Sequence, residues 1–199
     1  MDDMPAAAAS NLSQSLPVLP TRFERQRSES FASSSGSASA GHSPDESRLR
    51  LRLYGKAAAH TLEVTAHRRG GDFLGVHVVS IDSAPALPSG AGYDWTRKLV
   101  IQLTPEEMPA IIATLMGLTP SVRFGNHGAG RSKFIEVRRQ EGGLVIVTGE
   151  KSLSYSVPVP TATIYYLLEL FCRAMAMPGD KPGRSASDVL QLVKSAHGF

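Results

Sequence analysis

Cationic and aromatic side chains sit at short spacing along this chain: Tyr54 with Lys56, Tyr93 and Trp95 with Arg97 and Lys98, Arg123 with Phe124, Lys133 with Phe134, and Lys151 with Tyr155. Cations track phosphates. Flat rings take the faces of unpaired bases, each stack contributing roughly 1–3 kcal/mol with little sequence preference. The chemistry open to such pairs is recognition of a single-stranded polyanion. The run RLRLRL adds Arg48, Arg50 and Arg52 on one face and Leu49, Leu51 and Leu53 on the other, because successive strand side chains point to opposite sides. Several of these residues have two readings. The arginine face either meets phosphates or is only solvated, and Trp95 is either a stacking platform or the anchor of its loop. Phe134 reads as core. Arg68-Arg69 and Arg138-Arg139, at strand ends, are either phosphate contacts or solvated turns.

Other chemistries fit poorly. GNHGAGRS, residues 125–132, has the glycine spacing of a phosphate-binding loop, but Arg131 stands where the lysine belongs and a strand pattern follows instead of a helix. His60, His67, His77 and His127 show no metal-ligand spacing. Cys172 lies in an apolar helical stretch and reads as core. Acidic residues are scattered, and Asp94 reads as an acceptor fixing its loop. The expected function is non-enzymatic, with no catalytic residue, metal or cofactor.

Charge supports a polyanionic partner. Residues 1–47 hold three arginines against six acids, whereas the rest of the 199 residues hold 18 basic against 12 acidic groups, a net +6. The single cysteine allows no intramolecular disulfide and fits a reducing compartment. No apolar run nears the about 18 residues that span a bilayer, and MDDMPAAAAS lacks the basic start of a secretory signal. Usage rich in Ala, Arg and Gly points to a bacterial cytoplasm, with an organelle or nucleus as the eukaryotic counterpart.

These residues need elements to position them. Residues 1–46, rich in Ser, Ala, Pro and Gly, offer little apolar area against the entropy of ordering and read as a disordered arm. From residue 47 to 177 the pattern is strand-rich: RLRLRLYG, HTLEVTAHRR, DFLGVHVVSI and KLVIQL, then a helix. Thr104 caps that helix in the expected reading, with Pro105 at its first position, Glu107 closing a capping box and Gly117 ending it. Pro109 is expected to weaken it. SVRFGN, SKFIEVRRQ, GLVIVTGE and SLSYSVPV repeat the order, followed by the helix TATIYYLLELFCRAMA. The chain is thus an α+β protein of two β-β-β-β-α repeats. Residues 178–199 hold a linker and a short amphipathic helix, whose fates are packing on the body, disorder or covering a groove.

The stretch GYDWTRKLVIQLT closely resembles the YDWSRK segment of the plant Whirly proteins, which bind single-stranded DNA. YGKAAAHTLEV is similar to that family's KGKAALT-type motif, keeping Gly55, Lys56, Ala57 and Ala58 and replacing the first lysine with Tyr54. SVRFGNHG and SYSVPVPTATIYYLLELF agree in order, so the resemblance covers residues 48–177, about two thirds of the chain. It implies two antiparallel four-stranded sheets at a steep angle, helices packed together, a homotetramer assembled through them, and single strands held along the sheets. Tyr54 departs from the motif on which the family's higher assemblies depend. The residues expected to touch nucleic acid are Arg50, Arg52, Tyr54, Lys56, Tyr93, Trp95, Arg97, Lys98, Arg123, Phe124, Arg138, Lys151 and Tyr155. The partner expected is single-stranded DNA, with RNA binding or annealing and a partner-recruiting module as alternatives. The expected role is protecting or managing exposed strands in replication, repair, recombination or transfer.

Overall fold

Alternation of polar and apolar residues makes the first four strands, and the computed structural model, which describes residues 49–69, 71–179 and 182–198, orders them as one antiparallel sheet. The strands are β1 (Arg50–Tyr54), β2 (Ala58–Arg69), β3 (Asp72–Pro85) and β4 (Leu99–Gln102). Helix α1 (Glu107–Met116) follows. The second sheet holds β5 (Ser121–His127), β6 (Lys133–Gln140), β7 (Gly143–Glu150) and β8 (Leu153–Pro160), in that order, and leads into α2 (Thr161–Ala176). The two β-β-β-β-α repeats are therefore present. The proposed arm, residues 1–46, and Arg48 lie outside the described residues.

In β1 the leucines turn to the core and the arginines away from it: Leu53 is buried and Leu49 and Leu51 pack against the core, while Arg50 and Arg52 are exposed. The inner faces of both sheets meet the helices. Leu62, Ile81 and Ile101 from the first sheet, Ile135 and Leu144 from the second, and Leu167 and Phe171 of α2 form one buried cluster. Each such side chain contributes roughly 1.5–3 kcal/mol through the apolar area it removes from water. Cys172 belongs to the same cluster, and its burial raises the thiol's pKa. Helix α2 touches strands of both sheets and both other helices, which makes it the centre of the packing. Pro158 and Pro160 are tolerated because β8 is an edge strand.

Helix α1 starts later than its capping signals suggest. The N–H of Glu107 donates to the Thr104 carbonyl at 3.1 Å in a turn, and the helix begins at Glu107 with no side-chain cap. Half of the expected box survives, since the Glu107 carboxylate accepts from the Thr104 N–H at 2.9 Å. The later start places Pro109 in the first turn, where an N–H has no intrahelical partner anyway, so the proline costs no helical bond. Gly117 ends the helix with a φ of 83°, and Arg139 caps it from β6 by donating to the carbonyls of Thr114 and Leu115 at 3.2 and 2.9 Å.

The third helix, α3 (Ala186–Ala196), resolves the open reading of the C-terminal segment in favour of packing. Val189 and Val193 are buried against the other helices, and Ser185 with Asp188 forms a complete capping box. No helix among the described residues is long and apolar enough to cross a membrane.

Polar contacts tie one sheet to the other. The buried Thr148 hydroxyl donates to the Ser83 hydroxyl at 2.7 Å, and Lys133 Nζ donates to the Val100 carbonyl at 3.1 Å. His60 Nε2 lies 3.1 Å from the Ile146 carbonyl, so that nitrogen carries the proton, while the buried Nδ1 has no partner. Burial pushes the His60 pKa down to about 4.

Candidate nucleic-acid interface

Strand pairing sets the outer face of the first sheet. Arg50 pairs with Glu63, Arg52 with Thr61 and Tyr54 with Ala59; on the next strand Glu63 meets Ser80 and Thr61 meets Asp82. Residues paired across strands project to the same side, so Arg50, Arg52 and Tyr54 share a face with Thr61, Glu63 and Asp82. The Gly-rich loop after β3 adds Trp95 and Lys98. These eight residues line an open groove of about 380 Å³. A neighbouring concavity shares Thr61, Glu63 and Asp82 and extends the groove along β2 and β3 toward Arg68.

The loop is held where it must be. Tyr93 donates its hydroxyl to the Gly55 carbonyl at 2.8 Å and stacks on Tyr54 with ring centroids 5.6 Å apart. This joins the Tyr54-Gly55-Lys56 turn to the GYDW loop, two stretches distant in sequence. Asp94 caps a single 3₁₀ turn, Trp95–Arg97, by accepting from the Thr96 N–H and hydroxyl. Those hydrogen bonds hold its carboxyl below the usual range, led by the Thr96 hydroxyl. The turn leaves Trp95 37% exposed and Tyr54 58% exposed at the groove. Neither is core.

The groove is not purely cationic. Arg50 holds Glu63 at 2.6 Å, and Lys98 holds Asp82 at 2.7 Å. Arg52 makes no salt bridge among the described residues. Such half-exposed pairs contribute little to stability, but they preposition the cations and leave carboxylates on the groove floor. Glu63, Asp82 and Thr61 were not anticipated as site residues. Their signal was the alternation of Thr61 and Glu63 with Leu62 and Val64, which becomes informative only once the register with β1 is known.

The second sheet presents a smaller basic and aromatic patch, with a correction to its membership. Arg123 lies over the Phe134 ring, 3.9 Å from its centroid, and both Arg123 and Arg138 reach Glu136 at 2.9 Å. Phe134, read as core from sequence, is on the outer face; Phe124, read as a base contact, packs against the core. Consecutive strand residues cannot share a face, so Arg123 and Phe124 part company. Tyr155 is also corrected: it is buried at 4% exposure, paired with the buried Thr148, and has no ring face to offer. Lys151 sits exposed in the β7–β8 turn, and Lys56 and Arg97 are exposed outside the groove lining. The paired arginines divide as well. Arg68 and Arg138 are exposed, whereas Arg139 is spent on α1.

Gly149 makes the Phe134 position possible. A Cβ there would stand 2.5 Å from the Phe134 ring and 2.6 Å from the Leu153 carbonyl. Gly149→Ala is therefore expected to destabilise the protein by about 1–3 kcal/mol through overpacking, against the usual small stabilisation from Gly→Ala. A urea midpoint that stays put or rises would show that the ring yields freely.

Among the described residues no three His, Cys, Asp or Glu side chains gather as a metal ion requires. His127 Nε2 approaches the Glu107 carboxylate at 3.1 Å, a contact that ties the β5–β6 hairpin to the start of α1. Asn126 and Arg131 in that hairpin adopt positive φ angles, as a turn requires, and no helix follows to bind a phosphate.

No protein-family model and no curated protein sequence matches the chain. Solved structures are similar to it, among them two of plant proteins. One is WHY1 from Arabidopsis thaliana, 22% identical, covering 64% of this chain and 88% of that one with a TM-score of 0.47. The other is the plant transcriptional regulator PBF-2, 21% identical, covering 77% of this chain and 88% of that one with a TM-score of 0.49.

Proposed function

We propose that residues 47–177 bind single-stranded DNA without catalysis, bases directed into the groove on the first sheet and phosphates along its cationic rim. The observation that carries this reading is the meeting of Trp95 and Tyr54 with Arg50, Arg52 and Lys98 in one open groove. Exposed rings beside cations suit unpaired bases, whose faces a duplex would hide. The resemblance of the YDWTRK stretch to Whirly proteins points the same way. Lys56 and Arg97 at the groove's end, and Arg123 and Arg138 on the second sheet, extend the phosphate path. The protein acts as a homotetramer in this reading, its subunits joined through the helix layer, where Tyr165, Tyr166 and Leu192 are exposed. Its task is to protect or manage exposed single strands in replication, repair, recombination or transfer.

Salt titration of oligonucleotide binding tests the reading. Affinity should fall with log salt by about 0.7 per phosphate neutralised on a single strand, and Lys56→Ala should lower that slope by about 0.7. Single-stranded DNA should compete far better than a duplex of the same sequence, with RNA as the third arm. Equal binding to single and double strands would overturn the proposal.

A further inference from the structure

The row of residues that crosses the groove floor has the hydrogen-bonding order of a base edge. Arg52 pairs with Thr61 across β1 and β2, and Thr61 with Asp82 across β2 and β3. Strands about 4.8 Å apart put a donor, a hydroxyl and a carboxylate in line. All three line the same groove as the Trp95 and Tyr54 rings. Lys98 occupies one oxygen of Asp82, Oδ2, and neither the other oxygen nor the Thr61 hydroxyl makes a hydrogen bond among the described residues. An acceptor held in place on the floor of a cationic groove repels phosphate. It needs a donor from the ligand instead.

We infer that this row selects bases carrying a carbonyl at one end of the Watson–Crick edge and an amino group at the other, favouring cytosine and guanine over thymine and uracil. The inference rests on the single-strand reading above. Cytosine offers O2, N3 and the N4 amino group; guanine offers O6, N1–H and the N2 amino group. In both, the carbonyl meets Arg52 and the amino group meets Asp82. The Thr61 hydroxyl donates to N3 of cytosine or accepts from N1–H of guanine. Thymine and uracil have a carbonyl at each end, so one oxygen faces the Asp82 carboxylate. Adenine has no carbonyl for Arg52. With the edge on the floor, the face of the base lies toward Trp95 and Tyr54.

Fluorescence anisotropy with the full chain at neutral pH, using oligo-deoxycytidine and oligo-thymidine of equal length, tests this. The cytosine strand should bind about tenfold more tightly, the discrimination of one good two-point base contact. Mixed strands in which inosine replaces guanine, removing only the N2 amino group, should lose affinity. Asp82→Asn should bring the cytosine-to-thymine ratio near one, because a carboxamide can donate to thymine, even as the freed Lys98 tightens binding to both. Thr61→Val should weaken the cytosine strand selectively. Melting curves of both variants should stay close to the parent, since the half-exposed Asp82–Lys98 pair contributes little and the Thr61 hydroxyl makes no hydrogen bond among the described residues. Equal binding of the two strands by the parent chain, or a ratio that Asp82→Asn leaves unchanged, overturns the inference and leaves the single-strand reading intact. No binding to any single strand at low salt overturns both.

Discussion

Replacing Trp95 and Tyr54 together with alanine is expected to lower affinity for a single-stranded oligonucleotide by about 100-fold while leaving the fold intact. Each ring lost should cost roughly 1–3 kcal/mol of base stacking, and every 1.4 kcal/mol is tenfold. The two rings line one groove, so their losses need not add, and the estimate takes less than the full sum. Neither ring is in the buried cluster, and the loop keeps its own supports: the Asp94 cap and the Tyr93 bond to Gly55. A melting temperature within a few degrees of the parent is therefore expected, the residual change coming from the lost Tyr54–Tyr93 stack. The salt slope should hardly move, because no cation is removed. Unchanged affinity would return Trp95 to the role of loop anchor and take the groove out of the binding reading.

Acidification should destabilise the protein between about pH 6.5 and 4, and His60 should account for most of that loss. Its pKa is 6.5 when unfolded and about 4 in the fold, with burial as the main cause. Between those values the unfolded chain binds more protons, so stability rises with pH, is complete above 6.5 and is lost as pH falls toward 4. A shift of this size corresponds to roughly 3 kcal/mol. Below pH 4 both states carry the proton and this contribution stops changing. His60→Gln keeps a donor for the Ile146 carbonyl and removes the titration. Urea unfolding of parent and variant at pH 7.5 and 4.5 should show the parent's loss and a smaller loss in the variant. Parallel pH profiles would assign the acid sensitivity to other groups. Protonation adds its proton at the buried, unpartnered Nδ1 and leaves the Nε2–H bond to Ile146 in place, so the loss comes from burying a charge between the sheets.

The elements were largely legible because their signals are local. Alternation marked the first two strands and strand-like runs between turns marked the other six, the Ile-Leu spacing marked α2, and the order of elements showed the repeat. The start of α1 was misread because Thr104 and Glu107 carry a capping signature that a turn can use equally well. The site was legible by composition and less so by membership. Trp95, Tyr54, Arg50, Arg52 and Lys98 could be named one by one as ring or cation, and the structure gathers them in one groove. Phe124 and Tyr155 were named on the same grounds, and they face the core.

By itself the sequence determined which residues alternate, where strands and helices run, and that cations and rings are interleaved in a basic body. Those are properties of neighbours along the chain, set by backbone geometry and side-chain type. Only the tertiary structure decided which of them share a surface. Pairing register put Glu63 and Asp82 beside Arg50 and Lys98, the Tyr93 bond to Gly55 joined two remote stretches, and inter-sheet packing buried His60 and Tyr155. A strand's two faces are equivalent until another layer covers one of them, so the choice between core and groove belongs to long-range packing.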